Sequence, residues 1–181
     1  NAGATGTFEL APNTQGEVVS LGTVLLNTLS LESLAGITAN LVRIGAYTAP
    51  ASPPAGSVTS AGSIAIGGAG FDMASGAITP AALELLAVAG VGSGAVDQTA
   101  PLLSVGTLTG SASSFTLGHA GNQIASVPLL TASTGITLTA ATALTLGTIA
   151  TGNAAVISAT NLSAPGTVTA ADVSLTASAG T

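Results

Sequence analysis

The chain has 181 residues, enough to bury a substantial core, and carries seven acids against a single base, Arg43, for a formal net charge of −6. Binding that works by neutralising phosphate, in nucleic acid or on anionic lipid, needs several Lys or Arg, so both classes are excluded. With no cysteine, disulfides, thiolate metal sites and thiol catalysis are excluded too, while an apolar content of 47% argues against disorder.

In chain order, residues 1–16 have weak periodicity and are expected to be a tail or a segment docking on a neighbour. The absence of an initiating Met fits removal of a leader, or a fragment of something longer. From residue 17 to 181 short alternating segments take over. Leu29-Ser30-Leu31 puts apolar residues on one side of a strand, and Ser63-Ile64-Ala65-Ile66 does the same. Between them, residues 46–57 contain Pro50, Pro53 and Pro54, which cannot sit in a ladder, and are expected to loop out. Gly67-Gly68-Ala69-Gly70-Phe71-Asp72-Met73-Ala74-Ser75 matches a calcium-binding nonapeptide except at Ala74. That motif binds only as stacked copies and occurs once, so it reads as a Gly-rich corner.

Residues 79–90 can be read two ways. Thr79 as N-cap, Pro80 and Gly90 are helix punctuation, whereas a strand would put Leu83 and Leu85 inward and Glu84 outward. The surrounding pattern favours the strand. The apolar run of residues 77–91 is too short to span a bilayer and holds Pro80 and Glu84, so no membrane insertion is expected.

From Gln98 to Ala171 there is no Asp, Glu, Lys or Arg, and alternation is continuous. It appears in Thr107-Leu108-Thr109, Phe115-Thr116-Leu117, Ile136-Thr137-Leu138-Thr139, Ala143-Leu144-Thr145-Leu146, Val156-Ile157-Ser158, Thr167-Val168-Thr169 and Val173-Ser174-Leu175-Thr176. Phe115, Ile136, Val156 and Val173 open similar triplets at a spacing of roughly 20 residues, the mark of a solenoid. The fold class is therefore all-β, a parallel β-helix (β-solenoid) of about nine coils of roughly 20 residues, a rod on the order of 40 Å long. Such a fold needs few charges, because each coil's backbone N–H and C=O groups pair with the coils above and below.

The order of Gly106-Thr107-Leu108-Thr109-Gly110-Ser111-Ala112, Gly121-Asn122-Gln123-Ile124-Ala125 and Thr137-Leu138-Thr139 resembles the repeat region of secreted bacterial adhesins of the filamentous haemagglutinin type. The likeness covers residues 97–181 best, with a looser echo from Leu29 to Thr38. It implies a right-handed coil, export to the bacterial cell surface or medium, and a role in adhesion or biofilm matrix.

Catalytic chemistry finds little to use. His119 lies in the turn-like Leu117-Gly118-His119-Ala120-Gly121 with no nucleophile-elbow motif, and reads as a corner residue. Glu9, Glu17, Glu32, Asp72, Glu84, Asp97 and Asp172 are scattered, whereas glycoside hydrolysis needs two carboxyls on one groove and a metal needs clustered ligands. Thr107/Thr109, Thr137/Thr139 and Thr167/Thr169 could serve an ice-binding array only if a pair recurred on every coil. No catalytic, cofactor-binding or metal site is assigned and no cofactor is expected. The expected function is a non-catalytic structural module continuing or polymerising end to end. Its partners would be copies of itself, adjacent repeats of the same chain, or a host or matrix surface. A surface-binding module using outward Thr arrays and a polysaccharide-active β-helix enzyme are the alternatives.

Overall fold

The computed structural model describes residues 2–3, 5–22, 29–31, 33–47, 60–88 and 92–178. Among them are strands β1 (Thr7–Leu10), β2 (Val18–Leu21), β3 (Leu29–Leu31), β4 (Thr38–Ile44), β5 (Ser63–Ile66), β6 (Phe71–Asp72), β7 (Ala77–Leu86) and β8 (Ala95–Gln98). There follow β9 (Leu102–Leu103), β10 (Val105–Leu117), β11 (Ile124–Ala140), β12 (Leu144–Thr151), β13 (Ala154–Ala159), β14 (Leu162–Ser163), β15 (Val168–Thr169) and β16 (Asp172–Ala177). The sole helical element among the described residues is a 3₁₀ turn at Met73–Ser75. Residues 77–86 form a strand, with Leu83 and Leu85 buried and Glu84 half-buried, so the strand reading of that segment holds through Leu86. Most of the Pro-rich loop lies outside the described residues, as does Glu32.

All the paired strands run parallel; β6 and β9 form a separate two-stranded sheet, and the other fourteen stack in two columns that merge in β10 and β11. One column runs β1, β4, β7, the first part of β10, the first part of β11, β12, and then β14 and β15 together. The other runs β3, β2, β5, β8, the second part of β10, the second part of β11, β13 and β16. A register shift at Ala112/Ser114 lies where the long strands pass from one column into the other, and a second, at Thr107/Thr109, interrupts the first column. This topology fits a parallel β-solenoid. The segment at 7–10, expected in a tail or docking segment, is itself a strand laid on β4.

Alternation explains the core. In one column Val19, Ile64, Val96, Phe115, Ile136 and Ala155 face each other in sequence, each at most 1% exposed. In the other, Phe8, Val42, Leu83 and Leu108 stack, as do Ile44, Leu85, Gly110, Leu130 and Ile149. Gly110 occupies an inward position because the Phe115 ring needs it: a Cβ there would lie 2.9 Å from the ring and 2.5 Å from the Leu85 carbonyl oxygen. Each fully buried Leu, Ile or Val contributes about 1.5–3 kcal/mol, and in this chain that burial proceeds level by level.

Two expectations need correcting. The expected triplet alignment of Ile136 with Val156 is off by one residue: Ile136 faces Ala155 and Thr137 faces Val156. A one-residue slip exchanges the faces of a strand, so Ala155 is buried and Val156 is 45% exposed. The uniform spacing also fails in the N-terminal half. Paired strands there join residues 31 to 45 apart, except β2 and β3, which are only 10 apart, because excursions of unequal length separate the strands. Beyond β9 the separation settles at 18 to 21 residues.

Candidate functional site

Three kinds of side-chain feature stand out from the ladders: an ion triad, a buried amide clasp and corner hydroxyls. The triad uses the lone base. Glu9, Arg43 and Glu84 occupy one register position on β1, β4 and β7, so the guanidinium lies between two carboxylates. Its Nε donates to Glu84 Oε2 at 2.5 Å and its Nη1 to Glu9 Oε1. Burial works against the charge on Arg43, but the hydrogen bonds and attraction from Glu84 and then Glu9 outweigh it and raise the pKa further. The sequence reading missed this triad. Its signal is three apolar–charged–apolar triplets, Phe8-Glu9-Leu10, Val42-Arg43-Ile44 and Leu83-Glu84-Leu85, which align once their apolar members are stacked inward.

The amide clasp is centred on Asn122, which is fully buried. Its Nδ2 lies within hydrogen-bond distance of the carbonyls of Leu117 (2.9 Å) and Thr139 (3.0 Å) and of Gln98 Oε1 (2.8 Å). Its Oδ1 accepts from the Leu102 N–H at 2.9 Å and from Gln98 Nε2 at 2.9 Å. One side chain thus ties together backbone from three successive levels. His119 stands at the same corner, its Nδ1 accepting from the Gly121 N–H at 3.0 Å and its own N–H donating to Gln98 Oε1 at 3.2 Å. That is the corner role expected of it, with no carboxylate among these partners.

Corner hydroxyls repeat from level to level. Ser113 Oγ donates to the Ser93 carbonyl, Thr134 Oγ1 to Ser113, Thr142 Oγ1 to Ile124, Thr160 Oγ1 to Ala141 and Ser178 Oγ to Ala159. Ser158 Oγ donating to Thr139 Oγ1 at 3.1 Å is a hydroxyl–hydroxyl contact of the kind a side-chain ladder would make.

The remaining candidates stay apart. Asp72 caps the 3₁₀ turn, its Oδ1 accepting from the Ala74 N–H at 2.9 Å, and Gly68 and Gly70 adopt the positive φ of a tight corner. Among the described residues no three His, Cys, Asp or Glu side chains gather where they could share a metal ion. Glu84 and Asp97 lie in different columns; Asp97 lines a shallow groove with Ile66, Gly67 and Gln98. The Thr-x-Thr pairs do not stack on one another: Thr107 faces Ser126, Thr137 faces Thr116 and Val156, and Thr169 faces Ala150. Glu17 and Asp172 lie at opposite ends of the stack, beside β2 and on β16. No described helix is long and apolar enough to cross a membrane.

The last level differs from every other. β16 continues the inward register, with Ala155 facing Val173 and Ile157 facing Leu175, yet all six of its residues are exposed. Val173 and Leu175 are 50% and 42% exposed, where Ala155 and Ile157 are fully buried. Among the described residues no strand pairs with the outer edge of β16. No family model, curated protein or solved structure matches this chain.

Proposed function

We propose that the chain is a non-catalytic structural module of an extracellular bacterial fibre or adhesin, a right-handed β-solenoid whose coils are about 20 residues long where it is regular. Its work is mechanical. Backbone ladders and a narrow aliphatic core make a stiff rod, and end-to-end strand stacking joins it to further protein. Export and the cell-surface setting rest on the likeness of the Gly106–Ala112 and Gly121–Ala125 phrases to haemagglutinin-type repeats.

The observation that carries this reading is the stack of parallel strands whose inward aliphatic residues line up from level to level. The scattered chemistry of the acids and of His119 agrees with a passive role. Thr107/Thr109 and Thr167/Thr169 share a column on levels that are not adjacent and Thr137/Thr139 lies in the other, which speaks for plain strand surface over an ordered binding array. Electron microscopy of the purified chain over a range of concentrations tests it. Elongated particles joined at their ends are expected, and dispersed monomers at every concentration would refute it.

A further inference from the structure

We propose that the groove beside Asp97 is a recognition site for a lysine side chain of a partner protein other than this chain. Such a site lies on the side of the stack and stands whether or not the module joins end to end.

The groove is built on the outward face of two stacked strands. Ala65 on β5 pairs with Asp97 on β8, which in turn pairs with Thr116 on β10. The carboxylate therefore stands beside a residue too small to fill the space next to it. Ile66, Gly67, Gln98 and Thr99 help to complete a groove of about 280 Å³ whose lining is mostly hydrocarbon.

What the groove offers chemically is one-sided. The Gln98 amide is spent: its Nε2 donates to the Ala100 carbonyl at 2.8 Å and to Asn122 Oδ1 at 2.9 Å. Its Oε1 accepts from Asn122 Nδ2 and from the His119 N–H. The Thr99 hydroxyl is 3.5 Å from the Ile66 carbonyl. Among the described residues the Asp97 carboxylate has no hydrogen-bond or ion-pair partner, and the contacts of His119 at the nearby corner are with Gly121 and Gln98. The strongest unspent polar group is thus a charged acceptor, which calls for a donor that carries positive charge.

The class of cation follows from the walls. A metal ion needs several ligands, and among the described residues no three His, Cys, Asp or Glu side chains gather to supply them. An ammonium on a four-carbon stem matches both features, its head the carboxylate and its stem the hydrocarbon lining. A guanidinium would set some of its five donors against that lining. Small-molecule sites enclose most of their ligand, whereas this groove is shallow and open, so the ammonium has to come attached to a larger surface that adds contact of its own. A second copy cannot supply it. The single base of each copy, Arg43, is held between Glu9 and Glu84. The partner is therefore a different protein, and a basic one is drawn at longer range by the net charge of −6.

The test titrates dye-labelled tetralysine with the full chain, read by fluorescence anisotropy at physiological salt, where screening acts over about 8 Å. The unaltered chain should bind, and Asp97→Asn should weaken binding about fivefold with unchanged circular dichroism. Asp172→Asn removes the same charge four strands further along that column, roughly 19 Å away, and should leave the affinity within about twofold. Ala65→Leu keeps every charge but fills the groove, and should weaken binding as much as Asp97→Asn does. Equal losses from Asp97→Asn and Asp172→Asn would overturn the site in favour of general attraction to net charge. Full binding by Ala65→Leu would overturn the groove, and no binding of tetralysine at millimolar chain would overturn the proposal outright. If n-butylammonium competes as well as unlabelled tetralysine, the protein source is overturned and a free amine is the ligand.

Discussion

The two halves of the stack solve one problem differently. From β1 to β9 the strand pairs reach across 31 to 45 residues, or only 10 between β2 and β3, and every charged residue of the chain except Asp172 lies there. From β10 onward the levels repeat at 18 to 21 residues and no charge appears until Asp172. Where excursions vary in length, spacing alone cannot decide which segment stacks on which. Specific side-chain contacts between distant segments then do so: the Glu9–Arg43–Glu84 triad and the Ser75 hydroxyl that accepts from the Leu34 N–H. Where length is constant, the period itself sets register, and neutral hydroxyls repeated at the corners suffice. Specificity by unlike pairs on one side and by period on the other accounts for the charge desert without any special solubility device.

Asn122 sits on the border between the two regimes and should be the costliest polar position to change. Asn122→Leu keeps the volume close but strands the Leu102 N–H and the carbonyls of Leu117 and Thr139 in the interior. Each unsatisfied buried group costs about 1–3 kcal/mol, so a loss of about 3 kcal/mol or more is expected in urea unfolding. If the border is where the halves are joined, unfolding of this variant should separate into two transitions, because stacked repeats couple mainly to their neighbours. A single transition with a loss under about 1 kcal/mol would mean the halves are not distinct.

The triad should matter less, because it is partly in water. Arg43→Met leaves Glu9 and Glu84 without their shared partner, at side-chain exposures of 23% and 21%. The expected loss is about 1 kcal/mol, recovered in part by added salt that screens the two carboxylates. If register in this half depends on the triad, hydrogen exchange should rise in β1 and β4 while β11 to β13 remain protected. Uniform exchange across both halves would break the comparison from the other side.

These contrasts also mark what could be read from residues alone. Alternation located the inward side chains of the regular half, and Phe115, Leu117, Ile136, Leu138, Leu144 and Leu146 are all buried. It failed at Val156, where a recurrence at roughly 20 residues aligned Val156 with Ile136. The ladder instead follows the residue count between corners, and that count places Ala155 inward. Asn122 was quoted as part of a phrase without a role, because an Asn beside Gly121 looks the same in a turn and in the core. Its partners Gln98, Leu102 and Thr139 are distant in sequence. The uneven spacing of the first half was hidden for a similar reason: short apolar triplets in a low-complexity chain align at many offsets. The triad's three charged triplets were the one local mark that could have chosen among them.

The smallest effect tests the regular half most directly. Thr142, Thr160 and Ser178 form a corner stack in which each hydroxyl donates to a carbonyl on the level before it, Ile124, Ala141 and Ala159 in turn. Thr160→Val removes one donor and keeps the β-branched shape, so the strand propensity of the site is little changed. Water can replace the lost partner at this solvent-accessible corner, and the expected cost is about 0.5 kcal/mol. The informative measurement is the combination Thr142→Val/Thr160→Val. If period rather than any one contact holds this half, the two losses add, giving about 1 kcal/mol for the pair. A double variant that loses several times that sum would reveal a cooperative hydroxyl chain. The regular half would then rely on specific side-chain pairing as much as the irregular one does.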